Sequence, residues 1–272
     1  MFTRRSMVAG LGAAGLGGLA AAPGRPAAAP GRALAAWPGG AQAAVSLCYD
    51  DGLNSQLDHA AADLARADVK ATFFLTRDNV EARAADWVAL AGRGHEIGNH
   101  TVTHPCDLRR YTAASFAERE LRPMERYLDD HFGPARSHLF AYPCSVTDLG
   151  AGDANQQLAR YSRLLEHEGF KAARTCDGDP NPNSREHART QPFDVRGFAP
   201  TYDQDDPAVA QAYVRQAIRD GGWAVMVFHE VLPQRGGPGE TSVAHHQAIL
   251  QWIATQSVWC APMGAVLAHL RA

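Results

Sequence analysis

The stretch Ala44-Val45-Ser46-Leu47-Cys48-Tyr49-Asp50-Asp51-Gly52 decides the fold and points at the chemistry. Ala44–Tyr49 is a short, almost wholly apolar run, the pattern of a buried strand. Two carboxylates follow it directly. Side by side at a strand end they repel, at a cost that a cation or a hydrogen-bond donor must offset. Successive side chains at a strand end point in different directions, so one acid can bind metal while its neighbour faces a substrate. Gly52 permits a sharp turn and leaves room for a ligand. Taken alone, the pair also reads as turn or helix-capping acids.

Working outward, further strand candidates are 71–75, 96–99, 139–142, 172–175, 194–198, 223–228 and 258–261. Helical patterns lie between them, at 56–67, 84–92, 113–131, 153–169, 207–220 and 242–255, with a last one at 263–271 after Pro262. Apolar positions recur at three and four, as in Leu57, Ala61, Leu64 and Ala65. Short strands alternating with helices predict an α/β fold, a distorted (β/α) barrel of about seven to eight parallel strands in a single domain. The polar stretch Cys176–Gln191, rich in Pro, Asn and Asp, reads as a long surface loop.

The chain has 272 residues, 46% of them hydrophobic, enough for one sizeable core. Its formal charge of −3 gives no basic excess for nucleic acid. The N-terminus differs in kind. Arg4-Arg5 precedes a Gly/Ala-rich apolar run, Val8 to Ala22, and small residues follow near Ala29. Residues 1–29 therefore read as an export signal of the twin-arginine type, residues 30–43 as a linker, and 44–272 as the folded domain. The run is shorter than the ~20 apolar residues of a span, so no stable transmembrane anchor is expected. The destination is the periplasm or the medium. Of five cysteines at least one stays unpaired within the chain. Cys106 and Cys144 each follow a candidate active-site segment, and a bridge between them is the working hypothesis.

Polar residues gather just after the strands: Asp50 and Asp51 after the first, His100 and His104 after the third, Tyr142-Pro143-Cys144 at the fourth, Arg196 by the sixth, His229 after the seventh. In parallel barrels these ends converge on one face, where active sites are built. His100-Thr101-Val102-Thr103-His104 sets two imidazoles four apart, which in a helical turn grip one ion. With Asp51 they leave open positions for water and substrate, the mark of a catalytic site. Asp50 supplies a general base, and His229 a proton for the leaving group. His95 and the tryptophans Trp223 and Trp259 read as structural.

Cys48-Tyr49-Asp50-Asp51-Gly52, His100-Thr101-Val102-Thr103-His104 and Val227-Phe228-His229 together resemble the first, second and fifth motifs of polysaccharide deacetylases of the NodB-homology type, carbohydrate esterase family four. The resemblance covers roughly residues 44 to 270. It implies Asp50 as base, Asp51, His100 and His104 as metal ligands, and His229 as acid. It implies a divalent metal, zinc first, with cobalt, nickel or manganese also suited to the donor set, and an acetylated carbohydrate as partner. The third motif, Arg-x-Pro-aromatic, here reads Ala141-Tyr142-Pro143-Cys144, without its arginine and aromatic. The backbone N–H of Cys144 would still serve an oxyanion. Tyr142 is cast as a substrate contact, and Arg196 as the stand-in arginine.

The expected activity is N-deacetylation of an amino-sugar polymer or oligomer. Competing readings are an O-acetyl-glycan esterase with the same site, a metal-free amidase of small cyclic amides, and an inactive glycan-binding homologue.

Overall fold

The computed structural model describes residues 36–150, 154–176 and 179–272. The expected export signal and the first residues of the expected linker, 30–35, lie outside the described residues. The strands are β1 (Ala43–Tyr49), β2 (Thr72–Leu75), β3 (Glu96–Asn99), β4 (Leu139–Ala141), β5 (Ala172–Arg174), β6 (Trp223–Phe228), β7 (Glu230–Leu232), β8 (Glu240–Ser242) and β9 (Val258–Cys260). Six of them follow the order β5-β4-β3-β2-β1-β6, and β9 joins β1 to complete a seven-stranded sheet. Every pairing in it is parallel. β6 runs along one edge of β1; β9 and β2 share the other, at Ala43–Val45 and at Cys48–Tyr49.

The sheet curls into a distorted (β/α) barrel. Segment 194–198, expected as a strand, is no regular strand. It spans the gap between β5 and β6 by single bridges, Arg174 with Val195 and Phe198 with Met226. Gly197 explains the seam: a Cβ there would stand 2.5 Å from the Thr175 carbonyl oxygen, so only glycine lets the two backbones close up.

Side-chain alternation divides each strand. Ala44, Cys48, Phe74, Leu139, Ala141, Ala172, Val195, Val225 and Val227 pack in one buried cluster inside the barrel. Val45, Leu47, Tyr49, Phe73, Leu75, Ile97, Met226 and Phe228 pack in another, against the helices. The helix Met263–Arg271 plugs the floor with Met263, Val266, Leu267 and Leu270. Its first turn reaches a polar layer: Gly264 N–H donates to Glu96 Oε2 at 2.9 Å, and Met263 N–H to Thr72 Oγ1 at 2.9 Å. Each buried aliphatic side chain is worth about 1.5–3 kcal/mol, so this plug is a large part of the fold's stability.

Two features depart from the sequence reading. The stretch expected as a loop holds a helix, Arg185–Thr190, capped by Ser184, whose Oγ accepts the His187 N–H at 3.1 Å. The parallel pair β7–β8 was not anticipated and walls one side of the site. Among the described residues no helix is long and apolar enough to cross a membrane.

Candidate active site

The inward parity of the strands continues into the residues beyond them. Asp50 follows Cys48, His100 follows Gly98, and His229 follows Val227, while Arg174 follows Ala172 within β5. Asp50, His100 and His229 meet at the C-terminal rim, around a cavity of ≈ 660 Å³ also lined by Asp51, His104, Tyr142, Cys144 and Tyr202, with Arg174 bonded to Asp50.

At the end of β1, the Asp50 N–H donates to the Phe228 carbonyl at 3.0 Å. Gln56 joins the two strand ends, its amide donating to the carbonyls of Asp50 (2.6 Å) and His229 (3.0 Å). The chain then turns through positive φ at Asp51 (73°) and Gly52 (71°). A Cβ on Gly52 would lie 2.4 Å from Val80 Cγ1. The space expected for a ligand is therefore taken by Val80, and the glycine serves the turn. The Asp51 carbonyl is held by Thr76 Oγ1 (2.8 Å) and Asn79 Nδ2 (3.0 Å).

The segment from His100 to His104 is not the helical turn expected. It is a loop with positive φ at Thr101 (72°) and His104 (52°). Local hydrogen bonds hold it: Thr101 N–H to Asn99 Oδ1 (2.7 Å), His104 N–H to Thr101 Oγ1 (3.0 Å), Thr103 N–H to Glu120 Oε2 (3.0 Å). It still brings the two rings to 4.7 Å. His100 Nε2 lies 3.5 Å, and His104 Nε2 3.4 Å, from Asp51 Oδ1. Donors bound at ~2.0–2.1 Å around a tetrahedral ion stand about 3.4 Å apart. The His100 ring is fixed by its Nδ1–H donating to the Ala141 carbonyl at 2.9 Å, which leaves Nε2 as the lone-pair donor. Burial pushes His100 down to about 3, with His104 and Arg174 adding to it against Asp50. Burial also lowers His104. Both are therefore neutral, the ligating form. Burial, then the charge of Asp50, raises Asp51 to about 6; a cation among the three donors would reverse that. The cluster fits a divalent ion.

Asp50 is paired by Arg174, whose Nη2 donates to its Oδ1. Both are buried, and the guanidinium lies 4.5 Å from the centre of the Phe74 ring. Burial alone would raise Asp50, but the charge and hydrogen bond of Arg174 lead the opposing influences and hold it below the ordinary carboxylate value. Arg196, expected in this place, is instead paired with Asp179 at 3.1 Å. Parity is the reason: Val195 and Gly197 take the inward positions, so Arg196 faces the other way. The signal for Arg174 was a lone cation within an otherwise apolar strand.

Tyr142 stands among the residues that line the cavity. Following inward Ala141, its side chain turns out of the barrel, is 1% exposed, and donates its hydroxyl to the Phe193 carbonyl at 2.9 Å. Tyr202, 46% exposed, also lines the cavity, its ring 5.9 Å from that of His229. Cys144 lies in the tight turn Pro143–Ser145, in which Ser145 N–H and Val146 N–H bond back to Tyr142 and Pro143, and it lines the cavity. A disulfide joins Cys144 to Cys106; Cys48, Cys176 and Cys260 take part in none.

The rim of this parallel α/β barrel thus carries an Asp-His-His group that could hold a metal ion, with a paired buried carboxylate beside it. Residues 39–161 match the family model for polysaccharide deacetylase. A peptidoglycan-N-acetylglucosamine deacetylase of Bacillus cereus is 42% identical over 65 residues, 24% of this chain and 24% of that protein, so the match spans about a quarter of its length. Among solved structures, one from Mycobacterium smegmatis, assigned as a polysaccharide deacetylase, aligns with a TM-score of 0.64 at 18% identity over 88% of this chain and 94% of its own. The esterase-family-four domain of a multidomain xylanase from a Trinervitermes trinervoides hindgut metagenome gives 0.55 at 16% identity, over 83% and 90%. Peptidoglycan deacetylase PdaC from Bacillus subtilis gives 0.54 at 16%, over 84% and 91%. At these identities the structures bear on the fold.

Proposed function

We propose that this chain is an exported, divalent-metal-dependent deacetylase that removes acetyl groups from a carbohydrate, most naturally N-acetyl groups of an amino-sugar polymer or oligomer. The observation that carries the reading is the set of donor separations, 3.5 and 3.4 Å from Asp51 Oδ1 to the two histidines, beside a carboxylate held ionised. Zinc suits two imidazoles and one carboxylate, as do cobalt, nickel and manganese. Asp51, His100 and His104 would hold the ion, which when bound supplies Lewis acidity toward the acetyl carbonyl and makes water more acidic. The chain's own residues do the rest. Asp50, ionised at neutral pH, takes the proton of the attacking water. The Cys144 N–H points a dipole at the oxygen where charge develops. His229, across the cavity, gives a proton to the departing nitrogen. The deacetylase names of relatives and the paired arginines Arg4-Arg5 support action on wall polysaccharide outside the cytoplasm, in the periplasm or the medium.

The test is acetate release from a panel of N- and O-acetylated glycans, with and without chelator. Asp50→Asn is expected to lower turnover by about 10²–10⁴-fold while the metal stays bound. His100→Ala is expected to lose the metal. Full acetate release by both variants would end the assignment.

A further inference from the structure

The altered third motif leaves two duties to be met elsewhere. Arg174 meets one. We propose that the Cys106–Cys144 disulfide meets the other: it positions His104 and the Cys144 amide, so that affinity for the divalent ion depends on the bridge. This rests on the reading of Asp51, His100 and His104 as ligands.

The two histidines differ in what stands behind them. His100 has the Ala141 carbonyl at 2.9 Å on its Nδ1. On Nδ1 of His104 lies Cys106 Sγ at 3.8 Å, a soft, long contact that orients a ring weakly. A ligand held so loosely needs another anchor. His104 and Cys144 also share an unfavourable backbone, each with φ 52°. Such residues persist only where their surroundings over-determine them. The loops that carry them leave different strands, 38 residues apart, and the disulfide joins them across a Cα–Cα distance of 5.5 Å.

Pro105 makes the link stiff. It stands between His104 and Cys106 with a fixed φ, so a shift at Cys106 passes to His104. One bond therefore sets two distances. On one side it sets His104 Nε2 against Asp51 Oδ1, at 3.4 Å. On the other it sets the amide of Cys144 against the cavity. Misplacement of catalytic groups by ~1 Å typically costs about a hundredfold. In this chain the place of an aromatic side chain at position 144 is filled by a covalent bond to the ligand loop.

The test titrates Zn²⁺ into the metal-free full chain against a competing chelating indicator. Cys106→Ser, Cys144→Ser and the double variant are each expected to weaken affinity about tenfold or more, and all by the same factor, because each breaks the same bond. At saturating Zn²⁺ their kcat should stay low with KM little changed. Zn²⁺ binding by the double variant within twofold of the parent overturns the proposal. So do single losses that multiply in the double variant. Should a variant fail to fold, Cys106→Ala/Cys144→Ala gives the same comparison without leaving a thiol beside His104. His100→Ala separates the two readings: if it binds Zn²⁺ like the parent, the ligand assignment fails, whereas normal binding by the cysteine variants alone sinks only the clamp.

Discussion

Arg174 at the end of β5 donates to the carboxylate of Asp50 at the end of β1, both buried and 124 residues apart in sequence. The pair crosses the barrel and fixes the proposed base relative to the Asp51-His100-His104 cluster. It is a positioning contact, since Arg174 acts through Asp50.

Arg174→Met removes one half of this pair and leaves a buried charge. The expected cost is about 3–5 kcal/mol in chemical denaturation. Arg174 holds the Asp50 carboxyl below its ordinary value, so its loss moves the acid limb of the pH–rate profile to higher pH. Arg196→Gln breaks a half-exposed pair with Asp179 and should leave that limb in place, with stability changed by no more than about 1 kcal/mol. A shifted limb in Arg196→Gln and an unshifted one in Arg174→Met would reverse the assignment.

Tyr142→Phe removes a hydroxyl that bonds the Phe193 carbonyl away from the cavity. Stability should fall by about 0.5–1.5 kcal/mol, with KM and kcat unchanged. A raised KM would return Tyr142 to the substrate.

His95 gives a pH dependence of stability away from the site. Burial, then Lys70 and Arg93, pushes it down to about 4. Its Nδ1 accepts the Ala71 N–H at 3.2 Å. The unfolded chain takes this proton near pH 6.5 and the folded chain only near 4. The unfolded state thus binds more protons between the two, and the stabilisation present above pH 6.5 is lost as pH falls toward 4. His95→Asn keeps an acceptor without the titration, so urea midpoints measured across that window should become flatter.

Gly52→Ala places a Cβ against Val80 at a positive φ. Loss of several °C in Tm is expected, with only partial recovery in Gly52→Ala/Val80→Ala, because the backbone strain remains.

The fold was legible where polar residues broke an apolar run at its end. Asp50, Asp51, His100, His104 and His229 stand at such breaks, and parallel topology makes those ends converge. Arg174 escaped because it sits inside its strand, where a cation reads as a fault in the pattern until the inward parity of Leu139, Ala172 and Val195 is known. Arg196 misled for the complementary reason: it is at the correct end of the sheet on the opposite parity. The helix Arg185–Thr190 was hidden by polar composition, since it buries only Ala188. Tyr202 reaches the cavity from an irregular connection after the seam, and no periodic pattern announces such a residue.

Ser46 of the first strand donates to the carbonyl of Ala261, 215 residues later, beside the pairing of β1 with β9. Contacts so distant must repay the entropy of closing the whole intervening chain. While the chain is still being made, β1 has neither its lower neighbour nor its floor, and its inner face meets water. Sealing of the barrel is therefore a late event that awaits β9 and the helix Met263–Arg271, made after every other strand.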